Sequence, residues 1–450
     1  MRILAVMHVF PWPADNGARI RAATIVRALS QVGEVDLFTI LSTREARELG
    51  DGGGDASRAE GAAFRIGAAT RPSSSYRILR RLGWMAGGSL PYEVGTRDYS
   101  AVRTALRTWA EPPYDLVWME HAESFVACEG LIDGACIVDL DDLEDHKTRA
   151  RVAARRLDWR RRREPGRFSP AAITRRWGST AQARLDVRRW RQLQRRISST
   201  VDAVAVCSAL DEARLGVDNG AVIPNGYPMP ARALGRTDVG APPTLLLAGA
   251  LSYTPNVDAA RHLVGDILPR IRKRIPDARV RLVGRFDQRA EALRGDGVSL
   301  TGYVEDMGSE LARADAVVVP MRFGGGTRIK ILEAFAHRIP VVSTTLGCEG
   351  LEVVAGRHLL VDDDPDAFAA DCVRLLTEPP LREELENAAS DLFRDRYRSE
   401  SISRAIAELA ERTAGTGVRA SGGRNYEGAS PNHSVSMGRT SAREGADRSR

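Results

Sequence analysis

Two successive series of short, continuous apolar runs, each alternating with helix-like stretches, constrain this chain most. In the first half "RILAVMHV", "EVDLFTI", "YDLVWME", "ACIVDLD" and "VDAVAVCS" read as buried strands, and "ARIRAATIVRALSQVG" carries apolar spacing suited to a helix. In the second half "TLLLAGAL", "ARVRLVGR", "VSLTGYV", "ADAVVVPM", "PVVSTT" and "GRHLLVDD" repeat the strand signal, with helical patterns at 257–275, 328–338 and 365–377. Strands that are apolar on both faces and alternate with helices indicate a parallel, doubly wound α/β sheet. Two such series in 450 residues predict two Rossmann-like domains whose strand-end crevices face each other across a cleft. The expected divisions are a first domain at 1–228, a proline- and glycine-rich linker at 229–243 and a second domain at 244–380. Helices at 381–412 follow, and then a Gly/Ser/Arg/Asn tail at 413–450 whose composition predicts disorder.

Composition narrows the function classes. No apolar run reaches the roughly 18 residues needed to span a bilayer. The opening "MRILAVMHVFPWP" reads as a first β-strand, because its apolar core is short for a secretory signal and no small-residue cleavage site follows. The five cysteines, 128, 136, 207, 348 and 372, form no metal spacing and no paired framework, which fits buried thiols in a reducing cytoplasm. Only three of the 65 basic residues are lysines, at 147, 273 and 330, so a lysine here is more informative than an arginine. Residues 50–62 read as a surface loop. Residues 149–196 carry 17 arginines against three acidic residues, with tryptophans at 159, 177 and 190. This segment is open to two readings: long solvated helices, or a basic, aromatic-studded surface for anionic lipid or an anionic acceptor. No nucleic-acid recognition motif accompanies the charge.

The stretch "RFGGGTRIKILEA" (322–334) sits between a strand and a helix. It is not a P-loop, and neither domain has a GxGxxG loop after its first strand, which disfavours a nicotinamide dehydrogenase. Gly324, Gly325 and Gly326 allow a backbone to approach an anion at a helix N-terminus, where free N–H groups carry partial positive charge. Thr327 is placed to cap the helix, and Arg328 and Lys330 add side-chain charge. Lys330 and Glu333, three apart, share a helix face. A cation for phosphate beside a carboxylate for sugar hydroxyls suits a nucleotide's diphosphate and ribose. A surface salt-bridge cluster after a flexible loop would leave the same pattern.

The second domain resembles the retaining glycosyltransferases of family 4, which have the GT-B fold. The matching segments are "VIPNGYPM" (222–229), "LLLAGALSYTPNVDAARHL" (245–263), "ARVRLVGR" (278–285) and "LTGYVEDMGSELARADAVVVPMRFGGGTRIKILEAFAHRIPVVSTTLGCEGL" (300–351). "HVFPWPADNGARIRAATIVRAL" is similar to the family's first loop and helix. "IVDLDDLEDHK" (137–147) is similar to a subgroup, marked by GGGTRxKxxE, that is associated with exopolysaccharide and cell-surface sugar transfer. The resemblance implies a nucleotide-diphosphate sugar donor, a hydroxyl acceptor, retention at the anomeric carbon and a hexosyltransferase-type activity. It implies that Glu333 takes the ribose hydroxyls and that the glycine loop, with Arg328 and Lys330, takes the diphosphate. Backbone near Tyr303 and Val304 would read the base, Asn225 would contact the donor and with Gly226 form the hinge, and Gly249 would either touch the donor or only pack tightly.

In the first domain the candidates are His8, Asp15, Asn16, Gly17, Glu120 and His121. The Asn16–Gly17 loop opens a helix toward acceptor or donor phosphate, and a histidine near position 121 contacts the donor sugar in the family. Asp139, Asp141 and Asp142 offer metal ligands by composition, but the family needs no essential metal and helix capping is the plainer role. Two departures stand out. Eight positions before Glu333, where many members carry a second glutamate, this chain has Gly325, and no Arg/Lys pair follows the domain's first strand. The resemblance also implies that the 381–412 helices cross back to the first domain. A cytoplasmic protein is the expected setting, with peripheral contact with the inner face of the plasma membrane left open. A sugar-nucleotide epimerase of the same architecture and a non-catalytic sugar-nucleotide-binding protein stay open as alternatives.

Overall fold

The computed structural model describes residues 1–49, 65–71, 83–161, 170–231, 234, 240–325 and 328–417. Its strands form two parallel sheets. The first orders its seven strands β3-β2-β1-β4-β5-β6-β7: β1 (Arg2–Met7), β2 (Glu34–Leu41), β3 (Arg65–Thr70), β4 (Leu116–Glu120), β5 (Ala135–Leu140), β6 (Ala203–Val206) and β7 (Gly220–Val222). The second orders six strands β10-β9-β8-β11-β12-β13: β8 (Thr244–Ala248), β9 (Arg279–Val283), β10 (Val298–Gly302), β11 (Ala316–Val319), β12 (Val341–Ser343) and β13 (Leu360–Val361). The central strands are buried on both faces, as their unbroken apolar runs require: Ile3 to Met7, Leu245 to Leu247 and Ala316 to Val319 are all inaccessible or nearly so.

All six strand signals of the second half become strands, and five of the seven in the first sheet were signalled. The other two are edge strands. β3 reads RIGAAT and is only partly covered, and β7 is three residues long, so neither shows a continuous apolar run or a clean alternation. The helical pattern at 257–275 is interrupted. The helix Thr254–His262 passes through a π turn at Leu263–Ile267 into Leu268–Arg272. Pro269 has no N–H to bond four residues back, and the wider turn just before it accommodates that gap.

The chain crosses between the domains twice, side by side. The helix Pro379–Arg396 stays on the second domain, where Leu385, Ala389 and Phe393 join the core. The helix Ser399–Gly417 instead packs Ile402, Ile406, Leu409, Ala410 and Ala414 into the first domain's core. That stripe recurs at helical spacing, so it needs an apolar sheet face to cover it. The crossing is stitched by two backbone bonds, Tyr227 N–H to the Tyr397 carbonyl (2.9 Å) and Ser399 N–H to the Tyr227 carbonyl (3.1 Å). A side chain at Gly226 would strike Ile402 Cγ1 at 2.9 Å and Ser399 Cα at 3.1 Å, so the crossing needs glycine there. The tail expected to be disordered lies outside the described residues from 418 onward, as does the 50–62 loop.

Candidate functional site

Open α/β sheets bind ligands where the strand order reverses, at the carboxyl ends of the two strands that part. In the second sheet those strands are β8 and β11; in the first they are β1 and β4. Gly249 follows β8 and the glycine loop follows β11, while His8 lies just beyond β1 and Glu120 ends β4. Both groups of candidates therefore meet at switch points.

In the second domain the loop after β11 leads into the helix Ile329–Ala336. Gly324 has φ +127°, a conformation glycine tolerates, and a side chain there would press on Pro255. Gly326 and Thr327 lie outside the described residues. The helix begins one residue later than a Thr327 cap requires. Arg328 is the N-cap, and a guanidinium, having donors only, cannot accept from the first-turn N–H groups. Arg328 turns back instead. Its guanidinium donates to the Gly325 carbonyl and, at 3.3 Å, to the Leu346 carbonyl, while its buried Nε finds no partner among the described residues.

Lys330 and Glu333 do share a face, and the structure adds two partners that the sequence did not indicate. Lys330 Nζ donates to Asn256 Oδ1 at 2.9 Å, and Asn256 Nδ2 donates to the Ala250 carbonyl at 3.0 Å. Gly249, at φ +135°, lies directly beneath them: a Cβ there would stand 2.8 Å from Asn256 Nδ2 and 3.2 Å from Lys330 Nζ. Burial pulls the Lys330 ammonium down to about 7, neighbouring Arg328 pushes the same way, and Glu333 only partly offsets them. Glu333 Oε1 accepts the Tyr227 hydroxyl at 2.6 Å, and burial raises this carboxyl above its usual range. Asn256 was findable as a buried polar residue in the first turn of the helix after β8. Tyr227 had no such signal, because its role depends on where the chain crosses.

Tyr303 and Val304 follow β10, at the far side of the same crevice. The Tyr303 ring is 45% exposed and carries the Arg285 guanidinium 4.7 Å from its centroid. Asn225 is placed elsewhere than a donor contact requires. It is buried in the first domain, where its Oδ1 accepts from Arg21 (3.0 Å), which also makes a two-bond pair with Asp139 (2.7 and 2.6 Å). An asparagine so engaged holds the hinge and does not face the donor crevice.

The first-domain candidates converge. The rings of His8 and His121 stack at 4.7 Å, and His8 Nδ1 lies 3.1 Å from Glu120 Oε2. Glu120 is 0% exposed and its other oxygen has no partner among the described residues. His121 sits at φ +70°, an uncommon conformation for a residue with a side chain, as β4 turns into its helix. Its Nε2 faces Glu144 Oε1 at 3.5 Å, and Lys147 Nζ reaches the same oxygen at 2.7 Å. Burial alone would lower His121, but Glu144 and the charge of Asp141 outweigh it and raise the imidazole to about 9. Burial likewise works against the Glu144 carboxylate, and His121 with Lys147 still brings it down to about 2. Asn16 caps the helix Gly17–Ser30 through Arg19 N–H. Asp139 and Asp142 are held by basic side chains and not by helix N–H groups, Asp139 by Arg21 and Asp142 by Lys147 (3.0 Å). Among the described residues, no group of three His, Cys, Asp or Glu side chains is placed to hold a metal ion.

Residues 242–378 match the family model for glycosyl transferases group 1. No curated protein matches the chain at a significant level. Among solved structures, the chain is similar to sucrose-phosphate synthase from Thermosynechococcus elongatus, with TM-score 0.62 and 17% identity over 92% of this chain and 100% of that one. HepE from Anabaena, in complex with UDP and glucose, aligns with TM-score 0.59 and 13% identity over 91% of this chain and 99% of its own. WaaG, a glycosyltransferase involved in lipopolysaccharide biosynthesis, aligns with TM-score 0.53 and 14% identity over 91% and 99%. The fold is GT-B.

Within the GT-B frame the two domains touch at residues beside these clusters. Gly17 lies against Ile329, with a Cβ position 3.3 Å from Ile329 Cδ1, so the two switch-point helices meet end to end. Arg285 reaches Asp15 at 3.7 Å, and Arg214 pairs with Glu349 at 2.6 Å. Between these contacts, Asp142, Lys147 and Arg214 of the first domain and Gly324, Gly325 and Glu349 of the second line a cavity of about 210 Å³.

Proposed function

We propose that this chain transfers a glycosyl unit from a nucleotide-diphosphate sugar to a hydroxyl acceptor, with retention at the anomeric carbon. The observation that carries the reading is the Lys330–Asn256–Gly249 arrangement at the second sheet's switch point, with Glu333 one helical turn away. A buried ammonium at the start of a helix, seated over a glycine that lets it and Asn256 pack against the end of β8, is suited to a diphosphate. A buried carboxylate on the same face is suited to ribose hydroxyls. The match to glycosyl transferases group 1 covers these residues, and HepE, similar in fold, holds UDP and glucose, which supports the choice of donor class.

In this mechanism the bond from the anomeric carbon to the diphosphate oxygen breaks, and the acceptor hydroxyl forms the new bond on the same face while passing its proton to the leaving diphosphate oxygen. Negative charge grows on the leaving diphosphate, where Arg328, Lys330 and the helix start stabilise it. Those cations do the work a divalent metal does elsewhere, so turnover is expected to persist in EDTA. The first-domain cluster of His8, Glu120 and His121 faces the sugar and the acceptor. Acceptors of the polysaccharide or glycoconjugate class fit the similarity of the 137–147 segment. Among the described residues no helix is long and apolar enough to cross a membrane, and contact of the 149–196 segment with anionic lipid is proposed on its charge alone.

A thermal-shift screen against UDP, GDP, ADP and their sugars, followed by transfer assays with the donor that binds, tests the reading. Stabilisation by one nucleotide family, abolished in Lys330→Ala, is the expected result. No shift from any nucleotide sinks it.

A further inference from the structure

We infer that Asp142 of the first domain reads a hydroxyl of the donor's sugar, so that the two domains divide the donor between them. The inference rests on the proposed function and deepens it by naming a specificity-determining side chain.

Gly325 stands in the loop that precedes Arg328 and Lys330. A Cβ on it would lie 3.0 Å from Asp142 Oδ1 and 3.2 to 3.3 Å from the Lys147 side chain. The backbone there is not in the left-handed region, so conformation does not demand glycine, but a side chain would press on Asp142 and Lys147. With no side chain at 325, Asp142 and Lys147 pack directly against the glycine loop. Asp142 arrives with its orientation fixed: Oδ2 accepts from Lys147 at 3.0 Å, and Lys147 is anchored in turn on Glu144 at 2.7 Å. Oδ1 accepts no hydrogen bond among the described residues, and Asp142 lines the seam cavity with Gly324 and Gly325.

A carboxylate held by a lysine on one oxygen, with the other oxygen unbonded and the residue lining a cavity, is an acceptor suited to a neutral hydroxyl donor. It is unsuited to phosphate, which it would repel. The diphosphate therefore belongs with Arg328 and Lys330, and the hydroxyl-rich portion beyond it belongs with Asp142. Buried hydrogen bonds of this kind discriminate strongly, because an analogue lacking the group leaves a carboxylate unpaired.

The test compares each nucleoside diphosphate with its sugar conjugate on the full chain: UDP with UDP-glucose, GDP with GDP-mannose and ADP with ADP-glucose, by isothermal titration. For the pair that binds wild type, Asp142→Asn is expected to keep diphosphate affinity within twofold and to weaken the sugar conjugate at least tenfold. Lys147→Met, which frees Oδ2, is expected to weaken the conjugate in the same selective way. Lys330→Ala is expected to lose both ligands. Equal loss of both ligands in Asp142→Asn would mean a merely structural role and overturns the inference, as does no loss at all. If no diphosphate binds wild type, the proposed function fails first and takes this inference with it. Retained diphosphate binding in Asp142→Asn also shows that the variant is folded.

Discussion

Tyr227 and Glu333 are joined by a 2.6 Å hydrogen bond that ties the helix after the glycine loop to the point where the chain crosses between domains. The Tyr227 backbone is at the same time paired on both sides with the 397–399 segment. Any rotation of one domain against the other therefore acts on the carboxylate proposed to hold the ribose.

Removing that hydroxyl tests the link. Tyr227→Phe leaves a buried carboxylate without its donor, and such bonds to charged groups contribute about 1.5–3 kcal/mol. Nucleotide affinity is expected to fall about tenfold by titration calorimetry, in step with that range. Glu333→Gln is expected to weaken nucleotide binding as well, and affinity unchanged in both variants would remove Glu333 from the ribose site.

Lys330 gives a pH signature with two opposite signs. Its ammonium, lowered to about 7 in the ligand-free protein, regains its proton when a diphosphate arrives. Nucleotide affinity should be flat below pH 7 and fall as pH rises above it, until the higher pKa of the bound state is passed. Folding runs the other way. The unfolded chain holds this proton up to its ordinary 10.5, so between 10.5 and 7 the unfolded state binds more protons, and ligand-free stability rises with pH across that window. Denaturant titrations and calorimetry from pH 6.5 to 9 check both slopes, and Lys330→Met should abolish both.

Gly249→Ala is expected to cost stability and ligand binding together. At φ +135° any side chain is strained, by about 1–3 kcal/mol, and the added methyl displaces Asn256 from Lys330. A lower melting temperature with unimpaired nucleotide affinity would limit Gly249 to packing.

Much of this was legible in the sequence, for identifiable reasons. β8 and β11 are buried along their whole length, so their apolar runs are unbroken, and Lys330 and Glu333 declare their shared face by spacing alone. The edge strands β3 and β7 are half-covered and leave no pattern. Asn225 sits beside a glycine in a hinge, and nothing local indicates that Arg21, far away in the chain, will claim it. Tyr227 and Asp142 share this property: each acts on the opposite domain, and a partner supplied by tertiary closure leaves no periodicity to read.

His121 offers the last prediction. Its imidazole is raised to about 9, against burial, by Glu144 and Asp141, so it is charged at neutral pH beside the His8 ring. A group raised in the folded state stabilises fully below its unfolded value of about 6.5, and that contribution is lost as pH rises through 9. Glu144→Gln removes the nearest carboxylate and is expected to bring the His121 titration down by at least one pH unit, measured by NMR on the ring protons. The same variant should flatten the stability loss between pH 6.5 and 9. If His121 titrates unchanged in Glu144→Gln, its charge is not set by Glu144, and the His121–Glu144–Lys147 chain does not act as a unit.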